Sequence, residues 1–301
     1  MLARVAADFY WMGRYIERTE HTARLLRHQL TQLPDHTAVD LARSWQVVYQ
    51  ALGQSPPGIP EENPDELETY FMVDAYTLTG VLVEEQSNSG SMLSCWSRAR
   101  ENARQVRPHL PLSVWVCLNQ GRLWMQKIDF AQEWSDAPLS LVSQAHDRLR
   151  LIAGVVESEM ARDDGWRFLE LGRFLERLQN QASLLEAWKE SSVSRDDLLR
   201  VCAAYEVYCR RHSMEIHEQE VLNLLVRNPE LPYSLRFAVG RIDQALTGID
   251  PSGARYPLAA PHRMALRLMA AVEVAAMEEI TKDARALHGL IQSAYIEELV
   301  T

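Results

Sequence analysis

The segment Gly13-Arg14-Tyr15-Ile16-Glu17-Arg18 recurs 159 residues later as Gly172-Arg173-Phe174-Leu175-Glu176-Arg177. The likeness extends outward, because Phe9 matches Phe168 and Ala23 matches Ala182 at the same spacing. A spacing of more than half the chain is too long for a short solenoid repeat. We therefore predict one domain over residues 1–301 with an internal duplication, of about 1–137 and about 138–301.

Apolar side chains in both copies recur at alternating steps of four and three residues, which is the period of a core-facing helix. They are Val5, Phe9, Met12, Ile16, Ala23, Leu26 and Leu30, then Phe168, Leu171, Leu175, Leu178, Ala182 and Leu185. No segment alternates like a strand, so the predicted fold class is all-α, a multi-helix bundle. Further helices are predicted at about 37–52, 64–73, 76–85, 91–107, 112–134 (two, with a break at Gly121), 138–160, 195–211, 214–227, 233–247, 261–277 and 279–299.

A second pair of matching features follows each copy of the motif. Ser91 and Ser234 stand at predicted helix N-caps, and an arginine lies seven residues after each, Arg98 and Arg241. The spacing between these two elements is 143 residues rather than 159. The acidic stretch Glu61–Glu68 is a candidate for part of the difference.

Charge and composition argue against several classes of function. The 301 residues carry a formal net charge of −10 and a pI near 5.4, and nucleic-acid binding needs a basic surface. No apolar run reaches the roughly 18 residues of a membrane span. The four cysteines form no Cys-x-x-Cys pair, which indicates buried thiols in a reducing compartment. Because Asp8 interrupts the N-terminal segment and no signal-peptide core follows, a cytoplasmic location is expected.

The charged residues of the repeated motif fall on the helix face opposite the apolar seam. Three interpretations stay open: a solvated face with weak ion pairs, a buried structural network, or a site in which two arginine sets bind a carboxylate or phosphate. The candidates for ligand binding or buried ion pairs are Tyr10, Trp11, Arg14, Glu17, Arg18, Arg98, Arg100, Arg173, Glu176, Arg177 and Arg241. Gly13 and Gly172 predict a close approach by another helix or a ligand.

The most basic predicted helix carries Arg98, Arg100, Arg104 and Arg107. Its cations either join the same site or lie on the surface. A surface position is favoured for Arg104 and Arg107, while Arg100 stays open.

Two groups of acids and histidines were weighed as metal ligands, and neither fits. A di-iron bundle requires Glu-x-x-His motifs from two helices. Here His217 precedes Glu220, the reverse order, and Glu17 is followed at three by Glu20 rather than His. The sequence also lacks a nucleophile elbow, a phosphate-binding loop and a dinucleotide-binding glycine pattern. No metal and no cofactor are predicted, and no catalytic residue is assigned.

With these motifs in hand, the chain resembles the bacterial alpha-E domain family, a domain of unknown function named for its helices and its Glu-Arg motif. The matching segments are Tyr10–Arg18 with Thr22–Leu26, Ser91 through Arg98–Arg104, Gly165–Arg177 and Pro232–Ser234. Ser89 stands where the family usually has proline, and Tyr233 where an arginine is expected.

The resemblance implies partners: circularly permuted ATP-grasp ligases and transglutaminase-like proteins. We therefore expect an accessory protein of a bacterial peptide-synthesising or peptide-tagging system, partnering an ATP-grasp amide ligase and binding a carboxylate-bearing peptide. One alternative is an enzyme acting on that peptide, with Glu17 or Glu176 as a general base made basic by burial. Another is a purely structural scaffold. Neither nucleic acid nor a membrane is expected as a partner, and a homo-oligomer stays open.

Overall fold

The computed structural model describes residues 1–33, 37–57, 75–191, 193–212 and 215–297, and within these ranges every regular element is a helix. This confirms the predicted all-α class. The α-helices are α1 (Ala3–Gln32), α2 (Ala38–Leu52), α3 (Ala75–Val83), α4 (Met92–Gln105), α5 (Leu112–Gln126), α6 (Phe130–Asp136), α7 (Pro138–Glu159), α8 (Asp164–Lys189), α9 (Arg195–Val201), α10 (Tyr205–Arg211), α11 (Glu218–Leu222), α12 (Leu235–Ile249), α13 (Ala260–Val274) and α14 (Met277–Ile291). The predicted helix at 64–73 and the acidic stretch Glu61–Glu68 lie outside the described residues.

The two helices that carry the repeated motif form the centre of the molecule. α1 and α8 pack against each other along much of their length; α4 and α7 cover α1, and α2, α12 and α14 cover α8. Because neighbours surround both helices, even their polar faces are withdrawn from water. Phe9, Met12 and Leu26 on the predicted seam are fully buried.

Glycine allows α1 and α8 to approach so closely. A Cβ atom on Gly13 would collide with the carbonyl oxygen of Leu169, and one on Gly172 would collide with the carbonyl oxygen of Tyr10. These obstacles are backbone atoms, which cannot rotate away as a side chain can. The predicted close approach at both glycines is therefore confirmed, and in each case the neighbour is the other helix.

The predicted serine caps are also confirmed. The Ser91 hydroxyl accepts a hydrogen bond from the Ser94 amide at 3.2 Å and begins α4, while the Ser234 hydroxyl accepts from the Phe237 amide at 3.0 Å and begins α12. Each capped helix packs on one of the central pair, α4 on α1 and α12 on α8. The caps thereby fix the residues just before them, at positions 90 and 233, beside the central helices. The duplication itself stays a prediction.

Two predicted helix boundaries are wrong. α5 runs without a break through Gly121, whose missing Cβ leaves room for the indole ring of Trp96, and the chain turns only after Gln126. The single helix predicted at 195–211 is instead two short ones, α9 and α10. They are separated at Ala203, which has a left-handed φ of 49°.

The cysteines and the helix lengths bear on the predicted environment. All four cysteines are free; Cys95 and Cys202 are buried, while Cys117 and Cys209 are only partly so. Among the described residues, no helix combines the length and the apolar character that crossing a membrane requires.

Candidate functional site

The repeated motifs pair reciprocally across the contact between α1 and α8. Glu176 of α8 accepts from two arginines of α1, Arg18 (Nε to Oε1, 2.6 Å) and Arg14 (Nε to Oε2). We call these three residues the Glu176 cluster. Glu17 of α1 accepts from two arginines of α8, Arg177 (Nε to Oε1, 2.5 Å) and Arg173 (Nε to Oε2, 3.2 Å). These three form the Glu17 cluster.

Both clusters lie inside the protein. Glu17 and Glu176 are each 2% exposed, and Arg14 and Arg177 are 5% and 4% exposed. The interpretation as a solvated face is therefore wrong. Charges this deep are tolerated only when they are paired and hydrogen-bonded, and removing one partner is costly.

The environment of Glu176 decides its protonation state. Burial alone would raise the pKa of this carboxyl, but the guanidinium groups of Arg14 and Arg18 outweigh it and hold the pKa below its usual value. Glu176 is thus an anion at neutral pH. The expectation that burial makes it a stronger base is wrong, since both of its oxygens already accept from arginine.

The predicted aromatic residues complete the Arg14 end of the Glu176 cluster. Arg14 Nη1 donates to the Tyr10 hydroxyl at 3.1 Å and to His288 Nδ1 at 2.9 Å, and its guanidinium lies 5.6 Å from the Trp11 ring. Burial and the charge of Arg14 lower the pKa of His288 to about 4, so the ring is neutral and Nδ1 accepts. His288 was not predicted as a site residue, because it belongs to no motif and lies on α14, far from both motifs in sequence.

We call the second arginine of each motif, Arg18 and Arg177, the outer arginine, and the first, Arg14 and Arg173, the inner arginine. The outer arginine of the Glu17 cluster, Arg177, is covered. The ring of Tyr233 lies 4.7 Å from the Arg177 guanidinium and 4.1 Å from that of Arg24. The Tyr233 hydroxyl donates to Glu20 Oε1 at 3.0 Å, and the carbonyl oxygen of Pro232 accepts from Arg177 Nη1 at 3.2 Å. Water and ligands are thereby excluded from Arg177, whose side chain is 5% exposed.

Residues that were weighed as metal ligands serve this covering layer instead. Glu20 pairs with His146 at 3.1 Å and with Arg24 at 3.5 Å, and Arg24 Nη2 donates to His21 Nδ1 at 2.9 Å. Burial and the charge of Arg24 lower the pKa of His21 to about 3, which keeps the ring neutral. Among the described residues, no group of three or more acids, cysteines or histidines is arranged to hold a metal.

The outer arginine of the Glu176 cluster is open. The side chain of Arg18 is 30% exposed, and together with Glu176 it lines a pocket of about 330 Å³ that we call the Glu176 pocket. The other walls come from the end of α2, the loop before Ser91, and the exposed Arg285 of α14. Asn180, one turn beyond Glu176, also lines it, and its buried Nδ2 has no hydrogen-bond partner.

The remaining candidates divide between the network and the surface. Arg241 Nη2 donates to Glu170 Oε2 at 2.5 Å, and Glu170 also pairs with Arg173 at 3.4 Å, so Arg241 joins the Glu17 cluster through one carboxylate. Arg98 is exposed and lies over the ring of Tyr15 at 5.7 Å.

Arg100 and Arg104 lie outside both clusters. Arg100 donates to Asn119 at 3.1 Å. Arg104 pairs with the exposed Glu101, which confirms its predicted surface position. The basic helix α4 therefore contributes neither of these cations to the Glu176 pocket.

These features define a class: a helical domain whose two central helices exchange arginine–glutamate pairs. The chain belongs to the Alpha-E family, described as a predicted alpha-helical domain with a conserved ER motif, whose profile matches residues 1–297. The glutamate–arginine pairs Glu17-Arg18 and Glu176-Arg177 lie in the two clusters.

The curated relatives are longer proteins. The chain is 26% identical, over 271 residues, to uncharacterized proteins of Mycobacterium bovis and of two Mycobacterium tuberculosis strains. The match covers 83% of this chain but only 30% of each relative. No solved structure matches the chain significantly.

Proposed function

We propose that the protein is an accessory component of a bacterial peptide-synthesising or peptide-tagging system. In this role it binds a carboxylate-bearing peptide in the Glu176 pocket and partners an ATP-grasp amide ligase and a transglutaminase-like protein in the cytoplasm. The family resemblance supplies the partners. The peptide ligand rests on one observation of the structure: Arg18 lines a cavity, whereas its counterpart Arg177 is covered by Tyr233.

The charges around the pocket favour an anion. Two cations, Arg18 and Arg285, line the cavity, and Glu176, whose charge Arg14 also offsets from outside the lining, is the single acid that lines it among the described residues. Arg285 forms no ion pair with any residue that the structure describes. Because guanidinium groups bind carboxylates with two parallel hydrogen bonds, a surplus of arginine suits a carboxylate better than a neutral ligand.

The same chemistry favours binding over catalysis. A general base needs a pKa near the working pH. The pKa of Glu176 is instead lowered, and both of its oxygens already accept hydrogen bonds from arginine. The nearby thiol of Cys95 is buried, which raises its pKa to about 11, so it is not a ready nucleophile.

The experiment is calorimetric titration of the purified chain with short alanine-terminated peptides, whose only carboxylate is the C-terminal one, each as the free acid and as the C-terminal amide. Binding of the acid that is lost on amidation is expected. Co-purification of the chain with an ATP-grasp ligase from the same genome tests the partner. Equal binding of acid and amide, or none of either, would overturn the peptide role; failure to co-purify would overturn only the partnership.

A further inference from the structure

The residue before each serine cap differs between the two ends of the network. Tyr233 precedes Ser234 and covers Arg177. Gly90 precedes Ser91 and lines the Glu176 pocket beside Arg18. Thus, where the Glu17 cluster has a phenol ring, the Glu176 cluster has no side chain, and a cavity of about 330 Å³ takes its place.

The polar groups of the pocket wall are partly used up. Asn88 Nδ2 donates to Gln54 Oε1 at 2.8 Å, and Gln179 bonds both Arg14 and the carbonyl oxygen of Ala284. Two further groups that line the pocket are positively charged, Arg18 and Arg285, and the buried Nδ2 of Asn180 has no hydrogen-bond partner. A buried donor without a partner is unfavourable, and a ligand acceptor would supply the missing hydrogen bond.

We infer that the Glu176 pocket takes the C-terminal residue of a peptide. Its carboxylate lies between Arg18 and Arg285, and a carbonyl oxygen accepts from Asn180 Nδ2. Gly90 lines the pocket without a side chain, and a larger residue there would have to displace the side chain of Gln54, which also lines it. The inference rests on the proposed function, for which it names the atoms of recognition.

The size of the pocket sets the length of the ligand segment. A cavity of about 330 Å³ lies at the lower end of small-molecule sites, so it holds one or two residues rather than a folded tail. The carboxamide of Asn180 donates to an acceptor of the peptide. A positively charged group at the end of the peptide would be repelled by Arg18 and Arg285. Free acids with a neighbouring amide carbonyl therefore fit best.

The test is calorimetric titration of the full chain with the dipeptide alanyl-alanine, as the free acid and as its C-terminal amide, using variants of three pocket residues. Gly90→Tyr copies the covered end; the Cβ it adds comes within 2.5 Å of Gln54 Nε2 and 3.3 Å of Asn88 Oδ1, so the side-chain end of Gln54 must move. Asn180→Asp keeps the size and removes the donor, and Arg285→Met removes one cation. Each is expected to weaken binding at least tenfold. Arg104→Met, which removes an exposed arginine outside the pocket, is the matched control and is expected to bind like the unaltered chain.

The outcomes separate this inference from the proposed function. If the unaltered chain binds the acid but not the amide, and all three variants bind equally well while still folded by circular dichroism, the inference is overturned and the peptide role stands. If the unaltered chain binds neither form, both are overturned. Loss of binding in Gly90→Tyr with an undiminished melting temperature supports the inference directly.

Discussion

The Glu17 and Glu176 clusters have the same residue types on the same two helices, yet the protein treats their outer arginines differently. Arg177 lies beneath Tyr233 and Pro232 with a side chain that is 5% exposed, whereas Arg18 faces a pocket and is 30% exposed. A buried ion pair is weak evidence for stability. The difference between the ends suggests that one pair is kept as structure and the other as a recognition surface.

The inner arginines show that exposure alone does not make a site. Arg173 is 19% exposed, compared with 6% for Arg14, but its neighbour Glu170 pairs with both Arg173 and Arg241. Glu17 and Glu170 therefore supply carboxylate partners for the partly exposed Arg173. Arg18 pairs with Glu176, and the pocket that both line also contains Asn180, whose Nδ2 has no hydrogen-bond partner, and Arg285. The unpaired donors, rather than the exposure, distinguish the Glu176 pocket.

The largest effect is expected from a change that damages both clusters together. Gly172→Ala places a Cβ against the Tyr10 carbonyl oxygen, so α1 and α8 must separate, and both sets of ion pairs stretch. We expect a loss of about 4 kcal/mol or more in the free energy of unfolding, above the usual range for overpacking. Denaturant titration measures it.

Gly154→Ala on α7 is the matched control, because a Cβ at that position would have no neighbouring atom within 4 Å. This variant is expected to gain up to about 1 kcal/mol from helix propensity. Similar small effects in both variants would show that α1 and α8 are not in backbone contact.

The second change separates the two ends. Arg177→Met leaves Glu17 buried beneath Tyr233, with only Arg173 to pair it, and we expect a loss of about 3 kcal/mol. Arg18→Met leaves Glu176 paired with Arg14, and because the Arg18 side chain is itself 30% exposed we expect a smaller loss of about 1 kcal/mol. Chemical denaturation of the pair measures this difference, and a larger loss in Arg18→Met would reverse the comparison.

Acid sensitivity is expected from the covered end. The pKa of His21 is about 3 in the folded protein and about 6.5 when unfolded, so the unfolded state takes up a proton that the folded state refuses. The contribution of neutral His21 to the free energy of unfolding is complete above about pH 6.5. It falls as the pH drops towards 3, and about 2 kcal/mol is lost at pH 5.

His21→Asn introduces the residue that stands 159 positions later, Asn180, and is expected to flatten this part of the curve of stability against pH. His288, with its pKa of about 4, retains a slope of the same sign. An unchanged curve in His21→Asn would show that His21 takes up its proton in the folded state.

A smaller effect is expected at the covering ring. Tyr233→Phe keeps the ring over Arg177 and removes the donor to Glu20, which should cost about 1.5 kcal/mol since the acceptor is charged. Tyr256→Phe is the control, because Tyr256 is 96% exposed. Thermal unfolding compares the two; equal melting temperatures would mean that the Tyr233 hydroxyl bonds water instead of Glu20.

The smallest effect is expected at the rim of the pocket. Arg285→Met should change the free energy of unfolding by less than about 0.5 kcal/mol, because the side chain is exposed and forms no ion pair with a described residue. Thermal unfolding without ligand measures it. A loss above about 1 kcal/mol would give Arg285 a structural role and weaken its place in the binding site.

The sequence predicted the central helices because their apolar period, serine caps and glycines all indicate the same packing. It predicted wrongly at Gly121, since a glycine that makes room for Trp96 looks the same in sequence as one that ends a helix. Nor does anything in the sequence indicate that Ala203, a residue with a Cβ, takes a left-handed φ.

The candidate site was predictable only where it repeats. The motif identified the arginines and glutamates of both clusters. The residues that make the two ends differ come from elsewhere: Tyr233 and Gly90 precede the caps, and Arg285 lies on the last long helix. Tyr233 was noticed as a departure from the family pattern, but its position over Arg177 depends on tertiary packing that one sequence does not display.

The most direct test of the account is a pair of double-mutant cycles on the free energy of unfolding. One combines Arg177→Met with Glu17→Gln, and the other combines Arg18→Met with Glu176→Gln. We expect favourable coupling in both, stronger in the Arg177–Glu17 pair by at least about 1 kcal/mol, because that pair is shielded from water. Equal couplings would contradict the distinction between a covered and an open end, and couplings near zero would contradict the buried network itself.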